Sequence, residues 1–430
     1  MLFKDITILD EDFKIQENIN LITHGDKISY IGKDLPQGYR GEIYNGKNKV
    51  LLPGFFNTHS HIPMTLLRGY GEGLPLQRWL FEKMFPFEAR LKPSDCYWGS
   101  LLGAMEMIKS GVVSYSDMYF NIEDIIRASK DSGLKANISH GTSSNPNNPN
   151  FKDSIAYKDT ERMLEAVKKE ASDKIKIDIG LHAEYTSNEN LVRQVAAYAK
   201  EKNLIVHTHI SETLSEHESC KEKYGLTPTE YFEKCGLLDN KVIGAHCVWI
   251  ENEDFQIIKE KGLSPIHCVS SNLKLGSGFA PIKKMMDMGI EIGIGTDGAS
   301  SNNNLNILEE MHISSLLIKG LNRDPQVMSP KEIIKIATIN GARSQDRYDT
   351  GCLKVGNKAD IIVFDMDKAH LQPVFDVLSN IIYSASGDDI SLNMIDGEIV
   401  YKNGEFMTID KEMVIYKSNE IKDRILKELV

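Results

Sequence analysis

Apolar and polar positions follow two periods along this chain, and the periods change in an ordered way. Near the start, Ile6-Thr7-Ile8-Leu9 and Lys27-Ile28-Ser29-Tyr30-Ile31-Gly32 are β-rich runs, bounded by the turn signals Asp10-Glu11-Asp12 and Gly25-Asp26. The tail has the same texture. Ala359-Asp360-Ile361-Ile362-Val363-Phe364 reads as a strand, and Asn393 to Tyr401 as a hairpin turning at Asp396-Gly397. The two ends are expected to pair into one small β domain, from residues 1–53 and 351–430, the second part ending in a helix. Between them, residues 54–350 alternate short apolar strands with helical stretches such as Thr160 to Ser172 and Glu189 to Lys202. Strand ends are expected near Asn57, Met118, Gly141, His182, His209, Cys247, Cys268 and Asp297. Strands alternating with helices in this way predict an α/β fold, a (β/α)8 TIM-type barrel, with a small β-sandwich domain built from both chain ends. The stretch Ser143 to Asn150, made of Ser, Asn and Pro, reads as a loop over the strand ends.

In such a barrel the C-terminal strand ends build the active site. Those ends here carry His59 and His61, Asp117, His140, His182, His207 and His209, His246, His267 and Asp297. Packing alone is a poor explanation for so many polar side chains in one place. Positions two apart in a strand share a face, so His59 and His61 project together, as two ligands of one ion must. Imidazole suits zinc and other borderline divalent ions. A His-x-His pair alone equally fits ordinary strand-end residues.

The run Val206-His207-Thr208-His209-Ile210-Ser211-Glu212 adds two more histidines and a glutamate three residues past His209. A carboxylate there can pass a proton from water to a leaving group. It also fits a residue that opens a helix, where the dipole favours negative charge. Asp297 follows the strand Ile292-Gly293-Ile294-Gly295 and can bind a metal and accept a proton, or merely form an Asp-Gly turn. His246 and His182 face the same mouth, as catalytic groups or as satisfied core histidines. Trp79, in Leu76-Gln77-Arg78-Trp79-Leu80-Phe81, is either core or a ligand platform. Glu88 is a carboxylate in an apolar setting, or one half of an ion pair with Arg90.

Composition narrows the classes. The chain has 430 residues, 41% hydrophobic and 26% charged, which fits a soluble protein with one large and one smaller domain. A net charge of -11 argues against nucleic acid as the main partner. The six cysteines are scattered with no C-x-x-C pair, as expected for reduced thiols in a cytoplasmic protein. The first residues lack an apolar signal region, and no apolar run reaches the roughly 18 residues of a membrane span. No membrane partner is expected.

Taken together, several segments resemble the amidohydrolase superfamily. They are Pro53 to His61, Pro63-Met64-Thr65-Leu66-Leu67-Arg68-Gly69, His207 to Glu212, Ser271 to Gly278, Gly295 to Asn303 and Gly356 to Ile361. Within it they are similar to the branch of methylthioadenosine/S-adenosylhomocysteine deaminases and s-triazine hydrolases, and the resemblance spans nearly the whole chain. It implies one divalent metal ion, zinc before iron, held by His59, His61, His209 and Asp297. It implies Glu212 as proton shuttle, His246 as partner of the attacking water, and Asp297 as a further catalytic group. It implies Glu88 as the residue binding ribose hydroxyls, Trp79 as an aromatic wall, and substrate contacts at His182, Ser301, His140, Glu212 and Asp297. Two-metal members carry a bridging modified lysine after strand four; Leu181-His182-Ala183 stands there instead, which implies a single ion.

The chain departs from the branch in one respect. Members that take S-adenosylhomocysteine resemble one another in two arginines after strand three. No arginine occurs from 128 to 161; His140 stands at the first place and Lys152 near the second. The implied activity is metal-dependent hydrolytic deamination of a 5′-substituted adenine nucleoside to its inosine analogue and ammonia. The candidates are 5′-methylthioadenosine, S-adenosylhomocysteine, 5′-deoxyadenosine and adenosine, the shorter ones favoured. The expected partners are that small purine nucleoside and further copies of the chain in a homo-oligomer. The rival readings are deamination of a free base such as guanine, hydrolysis of a triazine-type ring, and a non-catalytic purine-binding barrel. Glu212 argues against the last, since binding alone needs no proton shuttle.

Overall fold

The computed structural model describes all residues except Pro36, Gln37, Pro146, Asn148, Ala171 and Val430, and only the backbone of Leu76. The expected loop at Ser143 to Asn150 lies partly outside these, at Pro146 and Asn148. The middle of the chain forms the barrel. Its strands are Phe55–Ser60, Val112–Tyr119, Lys135–Thr142, Ile179–Leu181, Val206–Ile210, Val242–His246, Ser264–His267 and Gly293–Ile294, adjacent in that order. Each pairs in parallel with the next. Parallel strands covered on both faces read as continuous burial, and every residue of Phe55–Ser60 and of Val112–Tyr119 is buried.

Hydrogen bonds join the ring between its last and first strands. Thr58 Oγ1 donates to the Ile294 carbonyl at 2.8 Å, Thr296 N to Asn57 Oδ1 at 3.0 Å, and Asp297 N to the His59 carbonyl at 3.0 Å. Gly295 makes this approach possible, because a Cβ there would lie 2.8 Å from His59 N. The expected helix Glu189 to Lys202 is found as Glu189–Lys202. Asn188 caps it by accepting from Leu191 N, and Leu191, Val192, Val195, Ala196 and Ala199 bury one face. The helix expected at Thr160 to Ser172 instead spans Ile155–Val167, because the Ser154 side chain accepts from Tyr157 N and starts it earlier.

The chain ends share one nine-stranded mixed sheet. Lys49–Pro53 joins them, lying parallel to Leu2–Leu9 and antiparallel to Ile361–Asp365. The hairpin of Ile390–Ile395 and Glu398–Lys402 turns at Asp396-Gly397, both with positive φ (49° and 77°), which matches the twist of the flanking strands. Phe3, Ile6, Leu21, Leu51, Ile361 and Leu392 belong to a separate core on this sheet. The seam with the barrel holds a buried cation. Lys135 Nζ donates to Asp360 Oδ2 at 2.6 Å and forms an ion pair with Asp396 Oδ1, also at 2.6 Å. Thr350 Oγ1 and Asp396 N also donate to Asp360, at 2.6 and 2.9 Å. The last helix, Lys411–Glu428, returns to the barrel helix Pro93–Lys109 through an Arg424–Asp95 ion pair.

Candidate functional site

His59 lies at the end of the first barrel strand, and His61 one residue past it, before a short helix starting at Ile62. His209 ends the fifth strand and Asp297 follows the eighth. The Nδ1 atom of each histidine is committed to a neighbour. His61 Nδ1 is 2.5 Å from the Met118 carbonyl, His209 Nδ1 is 2.6 Å from the His182 carbonyl, and His59 Nδ1 is 2.8 Å from His207 Nε2. A carbonyl only accepts, so Nδ1 of His61 and His209 carries the proton and Nε2 a lone pair. Those two Nε2 atoms are 3.3 Å apart. Asp297 Oδ1 lies 3.3 Å from His61 Nε2 and 3.4 Å from His59 Nε2.

Burial takes His59 down to about 4 and His209 well below the ordinary histidine range, so both are neutral at pH 7. Burial works against the charge of Asp297, yet the surrounding histidines hold it well below the usual carboxylate range. His59 Nε2 has no hydrogen-bond partner among the described residues. Lone pairs and a carboxylate that face one another repel unless a cation lies among them. Ligand atoms of His59, His61 and Asp297 lie within 4.8 Å of one another, as do those of His59, His209 and His246. Three imidazole nitrogens and a carboxylate oxygen fit a borderline divalent ion.

The surroundings fix these groups. Asp297 Oδ2 accepts from Ser271 Oγ at 2.6 Å and Ser301 Oγ at 2.9 Å, and Oδ1 accepts from Gly298 N at 2.8 Å. His246 Nδ1 lies 2.9 Å from Asn272 Oδ1, which leaves Nε2 facing Glu212 Oε2 at 3.7 Å. Burial disfavours a charge on His246, but Glu212 and Asp297 outweigh it and push its pKa up. Burial pushes Glu212 up to about 7, so it holds or yields a proton near neutrality. His246 and Asp297 have φ of 71° and 60°. Such left-handed backbone at non-glycine residues is costly, and here it occurs where two strand ends turn into the mouth.

One cleft with an empty volume of about 930 Å³ takes in His61, His209, Glu212, His246, Asp297 and Ser301. Its walls also include Trp79, Glu88 and His182, so most of the side chains singled out in the sequence meet there. Glu88 is partly buried and accepts from Tyr119 Oη at 2.6 Å. No ion pair with Arg90 forms, and burial pushes Glu88 up to about 7. His182 Nδ1 is 3.0 Å from Thr186 Oγ1. His140 lies outside the cleft, in an adjoining cavity, with Nδ1 3.1 Å from Asp159 Oδ2. Lys152 lines neither space. Asp117 is turned to the first loop, where its Oδ1 accepts from Ser60 Oγ and Ile62 N at 3.0 and 2.6 Å. His59 and His267 are buried behind the wall.

Sequence reasoning gave no role to Tyr119, Phe120, Tyr185, Ser271 or Asn272. Tyr119 was within reach, since it ends a strand two positions after Asp117. Phe120 and Tyr185 sit on loops, whose aim depends on packing that no local pattern encodes.

The sequence profile of the amidohydrolase family matches residues 50–400. A 5-methylthioadenosine/S-adenosylhomocysteine deaminase of Caldanaerobacter subterraneus subsp. tengcongensis is 38% identical over 419 residues, covering 97% of this chain and 96% of its own. A deaminase of the same name from Acetivibrio thermocellus is 42% identical over 390 residues, covering 90% of this chain and 89% of its own. Among solved structures, an adenosine deaminase from Xanthomonas campestris with bound zinc superposes with a TM-score of 0.93 at 26% identity, covering 99% of this chain and 98% of that one. The profile, the full-length relatives and the shared barrel agree with the motifs, and the chain belongs to the amidohydrolase family.

Proposed function

We propose that the protein is an aminohydrolase that deaminates a 5′-substituted adenine nucleoside to the inosine analogue and ammonia. The carrying observation is one cleft that joins the His59–His61–His209–Asp297 cluster to two separately placed carboxyl groups, the buried Glu212 and the partly buried Glu88. The names of the full-length relatives support the same reaction. On this reading those four residues hold one divalent ion, zinc before iron. When bound, such an ion supplies a nucleophile at neutral pH by acidifying water.

The chain's own groups do the rest. Asp297 and His246 accept and steer the proton released from water as its oxygen attacks the purine carbon that bears the amine. Glu212, poised near neutrality, protonates the adjacent ring nitrogen and relays protons to the departing ammonia. Glu88 accepts from the two ribose hydroxyls, for which an ionised carboxylate has room. Trp79 supplies an apolar face, and His182 and Ser301 complete the wall. No Lys or Arg lines the cleft among the described residues. That favours an uncharged 5′ substituent, as in methylthioadenosine or 5′-deoxyadenosine, over one ending in a carboxylate.

The test is ammonia release from a panel of adenine nucleosides, free guanine and a triazine by metal-loaded protein, ranked by kcat/KM. Uncharged 5′-substituted adenosines should lead. A free base leading the panel would overturn the nucleoside assignment.

A further inference from the structure

Glu310 is fully buried in the first turn of the helix Ile307–Asn322, which follows the eighth strand. It does not line the cleft, and Asn306 already caps the helix, so neither substrate nor the helix start accounts for it. Burying a carboxyl group is costly unless its oxygens are bonded. Both are, and to two different segments. Oε2 accepts from Ser270 N at 3.2 Å, in the helix Val269–Lys274. Oε1 accepts from Asn302 Nδ2 at 2.8 Å, in the loop after Asp297.

Both segments lead to Asp297. The Asn302 side chain also donates to the Thr296 carbonyl at 2.8 Å. An amide nitrogen has two N–H donors, and these two acceptors use both. Thr296 immediately precedes Asp297, whose own amide donates to the His59 carbonyl at 3.0 Å. The peptide link before Asp297 is thus held at its oxygen and at its hydrogen. The left-handed φ of 60° at Asp297 is unfavourable for a residue other than glycine and persists only where the surroundings fix it. The carboxylate is held from the same two sides. Ser271 and Ser301 donate to Oδ2, and each is the chain neighbour of a residue bonded to Glu310.

We propose that Glu310 is a positioning residue for Asp297. Its two oxygens tie together segments 270–271 and 301–302, which between them fix the backbone and the carboxylate of that ligand candidate. The inference rests on the reading of Asp297 as a metal ligand. Glu310 acts through these neighbours and is not itself part of the cluster.

The test compares the zinc affinity of wild type, Glu310→Gln, Glu310→Leu and Asn302→Ala, measured by competition with a chelator. Glutamine keeps the volume but turns one acceptor into a donor, so one tie is lost; leucine loses both. Affinity should fall roughly tenfold to a hundredfold in Glu310→Leu, the range for groups that orient a ligand from behind. It should fall by a smaller factor in Glu310→Gln and Asn302→Ala. In zinc-saturated protein KM should stay within roughly twofold while kcat falls. In zinc-free protein the amides of Ser270 and Asp297 should exchange faster in Glu310→Leu than in wild type. A carboxyl group that only holds the fold would lower the unfolding midpoint and leave the zinc affinity of the folded protein alone. Affinity within twofold of wild type in all three variants therefore overturns the proposal. If Glu310→Leu fails to fold, Glu310→Gln and Asn302→Ala decide by the same criterion. If wild type takes up no zinc, or Asp297→Asn binds it as tightly as wild type, the ion reading fails. The exchange of the Asp297 amide in the three variants then decides the anchor alone, and an unchanged rate overturns it.

Discussion

Lys135 and the His59–Asp297 cluster lie at opposite ends of the barrel strands, both buried, and their charges are handled differently. Lys135 opens the third strand and meets two carboxylates, one of which accepts two further bonds. Opposite charges are paired within the chain. At the other end, three imidazoles present lone pairs to one another and to a carboxylate. There the chain gathers acceptors, and His59 Nε2 has no hydrogen-bond partner among the described residues. A buried charge that is fully paired holds a fold together, whereas converging acceptors mark a place where something else is bound. The comparison separates the structural from the functional use of buried charge without appeal to any relative.

Three substitutions would sharpen or break this contrast. The largest effect is expected at the mouth. Glu212→Gln keeps the volume and removes the transferable proton. Turnover should fall by roughly two to four orders of magnitude with metal content and melting temperature retained; near-native ammonia release would remove Glu212 from the chemistry. At the seam, Lys135→Met leaves Asp360 and Asp396 facing each other in a buried space. Stability in urea should drop by about 3–5 kcal/mol, while kcat/KM of the folded fraction stays at the wild-type value. An unchanged unfolding midpoint, or a specific activity that falls with it, would erase the distinction between the two ends.

The smallest effect concerns Glu88, which pairs with no cation among the described residues and which burial pushes up to about 7. Glu88→Ala should cost about 1.5–3 kcal/mol of binding to adenosine analogues, the range for hydrogen bonds to a charged group. Analogues lacking both ribose hydroxyls should be spared. The sign with pH follows from the raised pKa. Only the ionised form accepts two hydroxyl donors, so KM for ribosides should rise as pH falls through about 7 and level off above it. A riboside KM flat across that window would sink the assignment.

Much of the architecture was legible because periodicity states it. The interval between strands sets the barrel, and alternation within a strand puts His59 and His61 on one side. The ligand candidates were legible because they share one rule, a polar side chain at a strand's C-terminal end. The Glu88–Tyr119 contact was not. It joins a short helix to a strand end whose relative depth is set by packing, and a carboxyl turned inward reads in sequence like an exposed one. His140 was misleading for the same reason: it occupies a strand end, but its ring turns to Asp159. The early start of the helix Ile155–Val167 hid behind a serine that reads as loop until its cap is seen.

The join between first and last strands has a consequence for assembly. Asn57 and Thr296 bond across 239 positions of sequence, and the amide of Asp297 rests on the carbonyl of His59. The cluster therefore cannot exist in any partly synthesised chain that stops short of the eighth strand, however well its earlier strands have formed. Contacts of such long sequence separation form late, because loop closure must come first. On the proposed reading of the cluster as an ion site, its affinity would report that the ring has closed, and a newly made chain would capture no ion there before it had become a barrel.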